Sequence, residues 1–135
     1  YSAGILGQRF PKKYLLSGIY LGRSIAIIGF LVLPLTPMTT YIFAAVMGFL
    51  WLSTIPLTNG IVAQIFGVKY LTMLSGLVFF SHQLGSFCGA FFGGYLFDRT
   101  GSYLIVWDIA IALGIFAFLV NLPVKERALA RVANA

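Results

Sequence analysis

From Tyr14 to Leu122 the chain is a succession of long apolar runs separated by short polar breaks. Four runs, at about 14–34, 40–64, 70–97 and 104–122, each reach the roughly 20 residues a helix needs to cross a bilayer. The breaks are rich in proline, glycine and charge: LPLTPM around Pro34 and Pro37, FGVK around Gly67, and DRTGSY from Asp98. This pattern predicts an all-α polytopic membrane protein with four transmembrane helices. Residues 1–13 read as the end of a preceding helix followed by a basic loop. Residues 123–135 read as a short amphipathic tail, helical after Pro123.

Polar residues inside the spans carry the candidate chemistry. The run 40–64 contains STIPLTNG at 53–60. Pro56 removes a backbone donor and crowds the preceding turn, so a kink or opening is expected there. Ser53, Thr54, Thr58 and Asn59 are placed to satisfy the freed carbonyls, or to bond their own backbone in a merely kinked packing helix. Unwound helix near mid-membrane is also a recurrent way to build a solute site. The run 70–97 places His82 and Gln83 at its centre, with Ser86 one turn on. Histidine changes charge most readily near neutral pH, so His82 is a candidate proton carrier or a neutral helix–helix hydrogen-bonding group. Gln83 points about 100° away, so the two cannot both face one cavity squarely. Gly85, Gly89 and Gly93 follow at intervals of four, a face suited to close helix packing in lipid. Arg23 lies within the first span, where a guanidinium must pair, snorkel or bind an anion. Asp108, near the start of the last span, reads as an interfacial carboxylate paired with Arg99.

Composition narrows the class. The chain is 60% hydrophobic and only 9% charged, too few charges to clothe a soluble domain of this size. Its net charge of +6 does not point to nucleic acid, because the cations sit at the ends of apolar runs. Their placement instead sets topology. Arg9, Lys12, Lys13, Lys69, Lys125, Arg127 and Arg131 fall on one side and Arg99 alone on the other, which makes the C-terminus cytoplasmic. The single Cys88 lies within an apolar run and reads as a packing residue. One histidine and three scattered acids supply no metal set. No phosphate loop or nucleophile elbow appears, so neither catalysis nor a cofactor is expected. The chain opens on Tyr1 in an apolar stretch, and the expectation is a piece of a longer protein.

Residues 4–13, GILGQRFPKK, resemble the loop signature G-x-L-a-D-R-x-G-R/K-R/K of major facilitator superfamily transporters. Gly4, Leu6, Arg9, Lys12 and Lys13 match it; Gln8 and Pro11 replace the usual Asp and Gly. PLTNGIVAQIFGVKYLTMLSG at 56–76 and GGYLFDRTGSY at 93–103 resemble the monocarboxylate-porter and oxalate/formate-antiporter-like branch. The resemblance implies helices nine to twelve of a twelve-helix bundle, with helices ten and eleven lining the cavity. It therefore favours Thr54, Thr58, Asn59, His82, Gln83 and Ser86 as substrate-binding residues over Arg23 and Asp108. It also makes Arg9, Lys12 and Lys13 a cytoplasmic gate loop.

The expected function is a share in secondary active transport of a small solute, carboxylates among the candidates, by proton-coupled alternating access. The expected partners are the lipid bilayer, the N-terminal helices of the same chain and the solute, in the cell (inner) membrane. Helix packing is assigned to Gly85, Gly89 and Gly93, with bending at Pro56. His82 and Arg23 are candidate proton or anion sites. Two rivals stand beside this reading: a self-contained four-helix multidrug exporter, and a non-transporting membrane scaffold. The exporters carry a buried glutamate in their first helix, and no span here contains Glu.

Overall fold

A computed structural model describes residues 2–128. After a short helix α1 (Ser2–Arg9) come four long ones: α2 (Lys12–Val32), α3 (Pro37–Phe66), α4 (Leu71–Thr100) and α5 (Leu104–Asn121). A single 3₁₀ turn, Val68–Tyr70, leads into α4. All four long helices are apolar and long enough to cross a membrane, and the protein is an all-α, multi-pass membrane protein.

The helix ends follow local chemistry. Pro11 stands just before α2, where its lack of an N–H costs nothing. Thr36 caps α3 in a reciprocal box with Thr39, and Pro37 takes the first helical position. Two glycines with positive φ bracket the fourth segment: Gly67 at +78° closes α3, and Gly101 at +68° closes α4. Other residues adopt that backbone only with strain. α3 runs through Pro56 as one uninterrupted helix rather than opening there.

α2 is the hub, packing along both α3 and α5. Leu16 and Ile19 of α2 and Leu57 of α3 are buried together, with Leu15, Tyr20, Leu50 and Ile61 around them. The approach to α5 is close because its contact residues are small. Ser24 is buried and donates to the carbonyls of Ile111, at 3.2 Å, and Tyr20, at 3.4 Å. Gly114 lies directly against Ser24 and the Tyr20 carbonyl. Near the Pro34–Pro37 end, Phe30 stacks on Phe43 at 4.3 Å and Trp107 closes on both, so one residue from each of three helices forms an aromatic cluster. At the opposite end Lys12 Nζ donates to Gln64 Oε1 at 2.9 Å, joining α2 to α3.

α4 stands apart from this three-helix unit and touches α3 and α5 only sparsely. The tail also departs from expectation: residues 124–128 are not helical. Glu126 accepts from the Lys13 backbone N–H, and Lys13 Nζ donates to the Leu122 carbonyl at 3.0 Å. These bonds draw the segment across the start of α2 instead of letting it coil. Arg131 and the rest of the predicted tail lie outside the described residues.

Candidate functional site

One stripe of α4 carries four of its polar and small residues. At about 100° per residue, Ser75, His82, Ser86 and Gly93 fall within about 40° of one another. Three of them meet neighbouring helices. Ser75 Oγ donates to Asn59 Oδ1 of α3 at 3.0 Å. The His82 ring meets Trp51 of α3 edge-on, centroids 6.0 Å apart. A methyl group added at Gly93 would lie 3.9 Å from Val106 of α5. The stripe therefore faces α3 near the start of α4 and α5 near its end.

Between those contacts the stripe is open. Nothing lies within 4 Å of a methyl group added at Gly89, at the stripe's edge, or at Gly85 beyond it, and Ser86 is exposed. Ser86 donates to its own helix at the His82 carbonyl, 3.0 Å away. Of the glycines expected to pack, only Gly93 meets a neighbour among the described residues. Gln83 sits off the stripe, exposed. Among the described residues neither the His82 nor the Gln83 side chain is hydrogen-bonded.

On α3 the hydroxyls turn inward upon their own backbone. Ser53 donates to the Phe49 carbonyl at 2.7 Å, Thr54 to Leu50 at 3.2 Å and Thr58 to Thr54 at 2.9 Å. Each of these bonds reaches back one turn, the geometry available to a hydroxyl inside an apolar helix. Thr54, Thr58 and Asn59 are half-buried. The candidates thus occupy two levels. Asn59 meets Ser75 at one, and Trp51 meets His82 about two turns away, roughly 12 Å along the helix.

Arg23 joins the second level. Its guanidinium lies 4.1 Å from the Trp51 ring centroid and 5.9 Å from that of Tyr20. It is not paired with a carboxylate among the described residues; the ring face supplies the negative potential instead. Arg23, Trp51 and His82 form a chain of contacts across α2, α3 and α4. The other pairing expected in the spans is absent: Arg99 lies 5.3 Å from the Tyr95 ring, and Asp108 is exposed. The loop cations are held at the opposite level of the bundle. Lys12 and Lys13 are hydrogen-bonded to α3 and the tail, and Arg9 ends α1 exposed.

Sequence reasoning passed over Ser75 and Trp51. Ser75 precedes His82 by seven residues, two turns, which is a legible signal. Trp51 stands seven before Thr58 on one face of α3, but its pairing with Arg23 depends on inter-helix register. No group of three or more potential metal ligands occurs among the described residues.

A family model described as Major Facilitator Superfamily matches residues 2–135. No curated protein and no solved structure matches the chain. The chain belongs to the major facilitator superfamily, a family of membrane transporters.

Proposed function

We propose that this member of the superfamily supplies part of the solute path of a secondary transporter working by alternating access. The observation that carries the reading is the α4 stripe: a histidine against Trp51, then an exposed Ser86 with Gly89 at the stripe's edge open to free space. In an apolar span such a face is costly unless it meets protein or a water-filled cavity. Thr54, Thr58, Asn59, His82 and Ser86 are the residues proposed to meet the solute, with Gln83 at the edge of the same surface. His82 is the proposed proton carrier, flanked by Arg23 through Trp51.

In the same proposal the four spans are the last part of a twelve-helix bundle in the cell membrane. Their basic end faces the cytoplasm, and Arg9, Lys12 and Lys13 form the gate loop. The resemblance of residues 56–76 and 93–103 puts small carboxylates first among solutes to screen.

A second reading, of a packing surface with no solute contact, draws on the hydroxyls that bond their own backbone. Thiol chemistry separates the two without knowledge of the solute. In a Cys88→Ala background of the native protein, Ser86→Cys should react with a membrane-impermeant methanethiosulfonate. Leu84→Cys, on the opposite face of α4, should be spared. Equal protection of both positions would leave the path with no support from α4.

A further inference from the structure

The chain leaving α5 is fixed against the start of α2 by bonds from two helices. Lys13 holds Leu122 and Glu126, and Gln64 Nε2 at the end of α3 donates to the Glu126 carbonyl at 2.9 Å. Between this segment and α2 lies an open recess of about 410 Å³, lined by Lys13, Lys125, Glu126 and Arg127. Three cations against one carboxylate leave its wall with a net charge of +2. The carboxylate is already engaged by the Lys13 backbone N–H, whereas Lys125 and Arg127 are exposed.

Topology alone asks only that cations stay on one side of the membrane. It does not ask two distant parts of the chain to converge on one recess, nor for hydrogen bonds to hold them there. The surroundings identify the medium. Tyr14 is exposed and its ring lies 4.9 Å from Lys13 Nζ, placing an aromatic ring beside the cation, as at a membrane boundary. α5, which leads into this segment, exposes Leu113, Phe116, Leu119 and Val120, apolar side chains suited to acyl chains. None of the α4 stripe lines the recess, which shares with the proposed transport machinery only Lys13 of the gate loop.

The geometry points to a lipid site: the recess binds the phosphate of an anionic membrane lipid, with the acyl chains running along Tyr14 and α5. Basic recesses at the membrane boundary suit such headgroups, and each cation near the surface contributes about 1 kcal/mol, or about fivefold in affinity.

The test is native mass spectrometry of the native full-length protein in neutral detergent, titrated with phosphatidylglycerol or phosphatidylcholine. Phosphatidylglycerol should bind more tightly. The double variant Lys125→Gln/Arg127→Gln should bind it about 25-fold more weakly, while Lys125→Arg/Arg127→Lys keeps the preference. Neither side chain is hydrogen-bonded among the described residues, so both variants should retain the wild-type thermal midpoint. Equal binding of the two lipids, or unchanged phosphatidylglycerol binding in the double glutamine variant, overturns the site. Displacement of the lipid by water-soluble glycerol phosphate at equal concentration would identify a site for a soluble anion and overturn the lipid assignment.

Discussion

At Gly114 a single hydrogen atom in place of a side chain decides how near α5 can come to α2. A β-carbon there would strike Ser24 and come within 3.3 Å of the Tyr20 carbonyl, and Ser24 cannot turn away without losing Ile111. Gly114→Ala should therefore lower stability by about 1–3 kcal/mol, the usual cost of overpacking. Gly85→Ala, built into open space, should leave the thermal midpoint of the purified protein unchanged. The reverse ranking would mean that α4 packs through its glycines after all. This distinction was not legible in the sequence. Gly114 is one glycine in an apolar run, while Gly85, Gly89 and Gly93 announce themselves by spacing. Regular spacing records which residues share a face, not whether a neighbour occupies it. The same limit hid the partner of Arg23: a cation within a span demands one, but nothing in the span names Trp51.

At the scale of elements, the four spans were legible because length and hydropathy suffice to define a membrane helix, and here both are unambiguous. Their ends shifted where local rules outrank hydropathy. α3 starts at Pro37, ahead of its apolar run, because Thr36 caps it and proline suits its first turn. The tail fails to coil because Glu126 is held by Lys13, a contact between opposite ends of the chain that no local pattern contains. Pro56 lies between these cases. A proline inside a helix removes one hydrogen bond and costs about 3 kcal/mol, yet α3 continues through it with Ser53 and Thr54 bonded to carbonyls one turn back. Pro56→Ala should raise the thermal midpoint. If the hydrogen bond missing at Pro56 serves alternating access, the same variant should move solute more slowly in proteoliposomes. A gain in stability with full flux would make Pro56 a tolerated defect and nothing more.

Taken whole, the described residues form three long helices bound tightly and a fourth attached lightly. α2, α3 and α5 share an aromatic cluster near one end and a hydrogen-bonded basic cluster at the other, with a buried core between them. Among the long helices the most extensive contact joins the first to the last, α2 to α5. Covalent continuity is consequently not what keeps this part of the protein in one piece. The exposed turn at Val68–Tyr70, just past Gly67 with its positive φ, is the natural place for a protease to cut. A nick there should leave the two fragments bound in detergent, migrating as one species until α2 and α5 are themselves unfolded. Supplied as two separate genes divided at that turn, the pieces should find each other in the membrane and rebuild the uncut whole. Separation of the fragments in mild detergent would show instead that the peptide bond, and not the clasp between α2 and α5, was holding them.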